Sequence, residues 1–491
     1  MNFDLLNLIH LEGIWAVLAY VLLFVFVAFP LIIILLDNRS PVKTISWILV
    51  LVLLPFVGIL LYIYFGRNYR KMKIFTRKEL IDAESFRLIS QKYEIDINKI
   101  NEFASRKICS KHNLMKLLYN NSKASLTINN QVVVMNSGKD TFDQIIQSIK
   151  AARHHIHLEY YIIEDDLIGN IIKNLLIEKA SEGIEVRLIY DDVGSWSLSK
   201  DFLKELSAGG VQVFSFMPVR SYRFANKINY RNHRKIIVVD SEIGFVGGIN
   251  IADRYLHGRN YSGFWRDTHL MIQGDAVLSL QVIFAMDWYF MSGVLLQDDR
   301  YFSRFPVEGN VMLQIAASGP DSDWSSVMQT YYAAIATATR YVYISTPYFL
   351  PNEGIMLALR AASLSGIEIK ILLPDQNDSY FTNWGSRSYL SELLEAGIEV
   401  YFYTKGFTHS KLMMVDDVFC TVGTSNMDVR SFDQNFEVNA LIYDTLTTSK
   451  LKKAFFEDLK HSYSLTMEKH KSRSTYDKLR ESVARLFSPV L

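Results

Sequence analysis

Residues 232–250 read NHRKIIVVDSEIGFVGGIN, and residues 408–426 read THSKLMMVDDVFCTVGTSN. Both carry His-x-Lys, four residues, Asp, six residues, Gly, a small residue, one residue and Asn. The first copy places these at His233, Lys235, Asp240, Gly247, Gly248 and Asn250; the second at His409, Lys411, Asp416, Gly423, Thr424 and Asn426. A lone His-x-Lys is ordinarily a solvated surface pair. A whole pattern kept twice in one chain calls for one site built from two halves.

Spacing supplies the first physical reading. His and Lys two apart on a strand point to the same face, and the residues that follow, IIVV and LMMV, suit a buried strand. Asp240 and Asp416 fall at turns with short polar neighbours. The Gly-Gly and Gly-Thr steps keep side-chain bulk low so that a ligand can approach the backbone, and Asn250 and Asn426 close the pattern with an amide donor. Two halves together give two His, two Lys and two Asn. That set suits a phosphodiester: cations and amides for the anionic oxygens, one imidazole to attack and one to protonate the leaving oxygen. A zinc site fits poorly, because the close Cys/His pairs are missing and a Lys beside each His repels a dication; no metal and no cofactor is expected.

The duplicated pattern resembles the HKD motif of the phospholipase D superfamily, over roughly Val132 to the C-terminus. With the apolar N-terminus described below, the layout resembles the bacterial cardiolipin synthases of that superfamily. The C-terminal ESVARLFSPVL is similar to their tails. The resemblance implies a phosphatidyltransferase that joins two phosphatidylglycerol molecules through a phosphohistidine. His233, Lys235, Asp240, His409, Lys411 and Asp416 are the implied catalytic set, with His233 the nucleophile and His409 the acid/base by analogy. Lys235, Lys411, Asn250 and Asn426 would hold phosphoryl oxygens. In the family, acids downstream orient the opposite half's imidazole, which points to Glu437 for His233 and Asp267 for His409. The two motif Asp residues, at turns, are expected to brace loops rather than touch phosphate. A membrane-bound phospholipase D, or a transferase to another alcohol, shares all these residues and stays open as an alternative.

Residues 13–36 (GIWAVLAYVLLFVFVAFPLIIILL) and 45–65 (ISWILVLVLLPFVGILLYIYF) are uncharged apolar runs, each long enough to span a bilayer. With the link 37–44 they predict a transmembrane hairpin within residues 1–73. A signal peptide fits less well, because the tail before the first run has no Lys or Arg. Arg67, Arg70, Lys71, Lys73, Arg77 and Lys78 follow the second run, so the positive-inside rule places the catalytic part in the cytoplasm, on a multi-pass cell-membrane protein. The bilayer and phosphatidylglycerol are the expected partners.

The formal charge of the 491-residue chain is +1, which gives no support to nucleic-acid binding. Cys109 and Cys420 are read as free thiols. The cations from Arg220 to Lys235 are read as a solvated loop, with headgroup binding at the site's mouth as the alternative. Residues 74–130 are a connecting segment with weak helical periodicity. Beyond them strand and helix patterns alternate and then replay: GIEVRLIYDD from 183 is answered by GIEIKILLPD from 366. The expected fold class is α/β: two α/β sandwich repeats, 131–310 and 311–491, the second with a C-terminal helical tail, packed with the active site at their seam. Oligomeric state is not legible.

Overall fold

The computed structural model describes residues 15, 17, 21, 28–36, 41–62, 97, 105–219, 229–258 and 264–488. Residues 1–68 belong to one compact unit and most of the remaining chain to another.

In the first unit, residues 28–36 are helical and two further helices span Pro41–Leu53 and Pro55–Leu61. Ile34, Leu51 and Tyr62 are buried together, and Trp47 meets Tyr62 edge-on, with centroids 5.4 Å apart. The second apolar run is therefore broken rather than continuous. Pro55 lacks an N–H to continue the preceding helix and its preset φ suits a helix start, so a new helix starts there with Pro in its first turn. Helix also begins at Pro41, inside the expected link. Among the described residues, no helix is long and apolar enough to cross a membrane. Half of the expected first span and the basic residues after 66 lie outside the described residues.

The second unit holds two sheets with matching strand orders. The first contains β1 (Asn130–Ser137), β2 (His155–Tyr160), β3 (Glu185–Asp191), β4 (Gln212–Phe216), β5 (Ile236–Val239), β6 (Ile243–Gly247) and β7 (Phe264–Gly274), in the order β1-β7-β6-β5-β2-β3-β4. The second is built from β8 (Met312–Ser318), β9 (Tyr341–Ser345), β11 (Glu368–Pro374), β12 (Glu399–Tyr403), β14 (Leu412–Val415), β15 (Phe419–Gly423), β17 (Glu437–Tyr443) and β18 (Ser462–Ser464), in the order β18-β12-β11-β9-β14-β15-β17-β8. Short strands β10 (Phe349–Leu350) and β16 (Met427–Asp428) pair with each other, and β13 (Gly406–Thr408) leaves its own half to pair with β7.

Period-two alternation explains how the motif strands serve two cores at once. Ile236 and Val238 of β5 join Leu412 and Met414 of β14 in the apolar layer between the two sheets. Ile237 and Val239 face the helices of the first half, and Met413 and Val415 those of the second. The sheets thus pack face to face with helices outside, a mixed α/β two-repeat sandwich. The helix Ala276–Ser292, apolar on nearly every side, is buried where the first half hands over to the second.

The connecting segment lies outside the described residues as far as 104, apart from residue 97. From there it is more than a connector. The helix His112–Ser122 buries Leu114, Met115 and Leu118 against Val327, Tyr331 and Ile335 of the second half. Gln314 donates to the carbonyls of Met115 and Ala124. The basic run is corrected too. Residues 220–228 lie outside the described residues, but Arg231, Arg234 and Lys235 are buried rather than solvated. Arg234 is buried because it pairs with Asp287 and donates to the carbonyls of Glu437 and Ser318, tying the first motif to the second sheet.

Candidate active site

The two His-x-Lys steps do not lie on strands. Each is extended chain just before a motif strand, His233–Lys235 before β5 and His409–Lys411 before β14. The reason is that these residues are held by the opposite half. The His233 amide donates to the Phe436 carbonyl at 2.9 Å, and the Phe436 amide donates to the Arg231 carbonyl at 2.9 Å. On the other side, β13 runs beside the start of β7, and the His409 amide donates to the Arg266 carbonyl at 2.7 Å. Phe436 precedes Glu437 and Arg266 precedes Asp267. Each histidine is therefore fastened by its backbone next to the acid of the other repeat.

The side chains complete the cross. His233 Nδ1 lies 3.0 and 3.1 Å from the two oxygens of Glu437. His409 Nδ1 lies 2.7 Å from Asp267 Oδ2. With Nδ1 held by a carboxylate, the tautomer that leaves Nε2 unprotonated is favoured, and Nε2 is the reactive atom. Glu437 also accepts from Thr424 Oγ1 at 2.5 Å and from Asn435 Nδ2 at 3.2 Å. Asp267 accepts from the Thr268 amide at 2.7 Å. Gly248 occupies the position of Thr424: a Cβ there would stand 2.1 Å from Asp267 Oδ1, so only glycine leaves room for the carboxylate.

Lys235 and Lys411 are fully buried, and each ammonium donates back to its own motif's histidine carbonyl, at 2.7 and 2.5 Å. Burial lowers their pKa to about 7 and about 8. Burial also lowers His233 to about 4, against the pull of Glu437, and holds His409 well below its ordinary value. Glu437 is pushed up by burial, but the His233 ring and the Thr424 hydroxyl outweigh this and keep it below the usual range. An arriving phosphodiester anion reverses part of these shifts, since a nearby negative charge favours the protonated imidazole and ammonium.

A cavity of about 370 Å³ opens over the seam, lined by both histidines, Asn250 and Asn426. Asn250 is held in place: its Oδ1 accepts from the Ile162 amide at 3.1 Å and its Nδ2 donates to Tyr255 Oη at 2.5 Å. Asn426 Oδ1 is buried without a hydrogen-bond partner.

Asp240 and Asp416 sit at tight turns, with both turn residues at positive φ: 56° and 57° at Asp240 and Ser241, 56° and 63° at Asp416 and Asp417. Asp240 accepts from the amides of Arg153, His154 and His155. Asp416 accepts from the Thr339 and Arg340 amides and from Lys111 Nζ at 3.0 Å. Both carboxylates thereby fix the loop that leads into the adjacent antiparallel strand, β2 or β9, and neither lines the cavity. Among the described residues, no group of three or more His, Cys, Asp or Glu is placed to hold a metal ion.

Sequence reasoning missed several residues that line the cavity: Tyr161, Arg254, Tyr348, Asp378, Arg430 and Asn435. One signal was available. Arg254 and Arg430 each stand four positions after the motif Asn of their half. A second lay earlier in each half: Tyr161 and Tyr348 each stand eight positions after Arg153 and Arg340, following the corresponding strands β2 and β9.

Two α/β repeats that each bring a histidine, a lysine and an asparagine to one seam define a phospholipase D-like enzyme. A family profile described as "Cardiolipin synthase, PLD-like domain" matches residues 145–288 and 331–459, and one described as "Phospholipase_D-nuclease N-terminal" matches residues 18–67. The chain is 45% identical to the cardiolipin synthase of Geobacillus sp. (strain WCH70), over 95% of this chain and 92% of that one. It is 40% identical to the major cardiolipin synthase ClsA of Bacillus subtilis (strain 168), over 94% of this chain and 96% of that one. Its fold is similar to the crystal structure of phosphatidylserine synthase from Haemophilus influenzae Rd KW20 (TM-score 0.59, 14% identity, 77% of this chain and 100% of that one). The chain belongs to the cardiolipin synthase family of phospholipase D-like phosphatidyltransferases.

Proposed function

We propose that the protein transfers a phosphatidyl group from one phosphatidylglycerol to a second, giving cardiolipin and glycerol. The observation that carries this is the crossed pairing, His233 with Glu437 and His409 with Asp267, at one cavity. Two imidazoles, each with Nδ1 held, supply an attacking Nε2 and a proton-transfer Nε2 to the same phosphorus.

In the first step Nε2 of His233 bonds to phosphorus and the bond from phosphorus to the glycerol oxygen breaks. The departing oxygen takes a proton from His409. In the second step a hydroxyl of the second lipid gives its proton to His409, its oxygen bonds to phosphorus, and the phosphorus–nitrogen bond breaks. His233 leaves neutral and His409 is again protonated, so protons balance over the cycle. Lys235, Lys411, Asn250 and Asn426 carry the charge on the phosphoryl oxygens, in a site dry enough to strengthen each contact. Asp240 and Asp416 act at a distance, by holding the turns that end the motif strands.

The size of the cavity favours headgroups over acyl chains, so the lipid tails stay outside and the site must open at a bilayer. The N-terminal apolar runs, read as a transmembrane hairpin with the catalytic part on the cytoplasmic side, hold it there. Mass spectrometry of products from purified full-length enzyme and phosphatidylglycerol vesicles tests the reading. Cardiolipin and glycerol in equal amounts support it; phosphatidic acid as the sole lipid product overturns it.

A further inference from the structure

The proposed transfer joins two lipids that both carry a phosphodiester. In that reading the motif lysines and asparagines are assigned to one phosphorus, the one bonded to histidine. The phosphate already present on the acceptor lipid has no partner in that set. In the product the two phosphates are separated only by a glycerol unit. Two anions brought that close in a partly desolvated cavity repel unless a further cation stands by them.

The cavity offers two arginines, Arg254 and Arg430, both half-buried and both four residues after a motif asparagine. They are not equivalent. Arg254 pairs with Glu164 at 3.1 Å and lies over the Tyr255 ring at 5.6 Å, with Asp378 adding further negative charge nearby. Its charge is already met. Arg430 sits on the short helix Val429–Asp433, and among the described residues no hydrogen bond or ion pair engages its guanidinium. The carboxylate nearest it in sequence, Asp428, is buried and caps that helix through the Ser431 amide at 2.6 Å. The charge of Arg430 acts on the Tyr161 hydroxyl, and the Tyr161 ring stands edge-on to His233 with centroids 4.9 Å apart. The charge of Arg430 also acts on Asp428, but among the described residues it has no hydrogen bond or ion pair, so a cation of the second half lines the same cavity as the histidine of the first.

We propose that Arg430 binds the phosphodiester of the acceptor lipid, forming a second anionic subsite in the cavity and so selecting a phosphatidyl alcohol over water or a neutral alcohol. This rests on the transfer reading above. Arg430 makes and breaks no bond and moves no proton; it is a specificity-determining residue. Its planar fork matches two phosphate oxygens at once, which a lysine does not. The buried ammonium groups of Lys235 and Lys411, turned back on their own motifs, leave this role open.

The test uses full-length enzyme on phosphatidylglycerol vesicles with ethanol in the aqueous phase. Cardiolipin, phosphatidylethanol and phosphatidic acid then arise from the same phosphohistidine, so their ratio is insensitive to donor cleavage and to the amount of folded enzyme. Arg430→Gln should lower the ratio of cardiolipin to phosphatidylethanol by about tenfold or more, and Arg430→Lys by less. An unchanged ratio in Arg430→Gln overturns the proposal. So does an equal fall in Arg254→Gln, which would point to general cavity charge. A second measurement needs no variant. Wild-type enzyme offered glycerophosphoglycerol and isotope-labelled glycerol at equal concentration should load the anionic acceptor about tenfold more than it forms labelled phosphatidylglycerol; equal use overturns the subsite. Wild-type enzyme that makes phosphatidylethanol but no cardiolipin would instead overturn the transfer reading itself.

Discussion

His233 Nδ1 lies 3.0 Å from a carboxylate oxygen of Glu437, a residue 204 positions later in the chain. Its counterpart, His409 to Asp267, spans 142 positions in the opposite direction. Neither imidazole is oriented by its own repeat. Replacing Glu437 by Gln puts an amide donor against Nδ1 and moves the ring proton to Nε2, where it blocks attack. Glu437→Gln and Asp267→Asn should each lower turnover on the order of a hundred- to ten-thousand-fold. Steady-state kinetics beside a thermal melt checks this; a loss under about tenfold with normal folding rules out the orienting role.

Removing either imidazole should abolish transfer between phosphatidylglycerol molecules, and the two losses differ in kind. Given a donor with a nitrophenol leaving group, which needs no protonation, His409→Ala should still form a phosphatidyl–protein adduct on His233 and hold it. His233→Ala should form none. Intact-protein mass spectrometry after a short incubation distinguishes them, and an adduct on His409 reverses the assigned roles.

The pH dependence follows from burial. Lys235 and Lys411 must be protonated to hold phosphate, and in the empty site they lose the proton near pH 7 and pH 8. kcat/KM for a soluble phosphodiester with a nitrophenol leaving group, which needs no proton from His409, should fall as pH rises through that window. The nucleophilic His233 must be neutral and is lowered to about 4, so it stays competent well into the acid range. Bound phosphate raises the lysines, so the alkaline limb of kcat should lie at higher pH than that of kcat/KM. A kcat/KM that stays flat well above pH 8 contradicts the lysine assignment.

Gly248 faces Asp267 where the second half has Thr424 facing Glu437. Gly248→Ala drives a methyl into the carboxylate, at a cost of about 1–3 kcal/mol in stability, and pushes Asp267 off His409. Thr424→Ser keeps the hydroxyl and should be nearly silent. Chemical denaturation and turnover measured together should show Gly248→Ala damaged in both; wild-type values in both would refute the close approach.

Deleting residues 1–66 should leave a catalytic part that still cleaves a soluble phosphodiester, because both motifs lie beyond residue 231. Its cardiolipin yield on vesicles should drop and the share of phosphatidic acid should rise, since an untethered site meets its lipids at lower effective concentration. Product ratios of full-length and truncated enzyme on identical vesicles decide it. Equal ratios would place acceptor choice wholly inside the catalytic part.

The sequence by itself determined the duplication, the six motif positions in each half and the order of strands and helices. These are local properties: IIVV and LMMV must be buried strands, and Asp240 and Asp416 must turn the chain whatever surrounds them. The resemblance implied which acid meets which histidine; only the tertiary structure decided at what distance and by what means, because β13 crosses to β7 and Phe436 pairs with Arg231 through backbone hydrogen bonds that leave no residue signature. The same holds for Arg430. Its spacing from Asn426 is visible in the chain, but so is that of Arg254 from Asn250, and both read alike. Glu164 is ion-paired with one guanidinium, and among the described residues no ion pair engages the other. Whether a charge is already met depends on what the fold brings within a few ångströms of it, and no spacing along the chain records that.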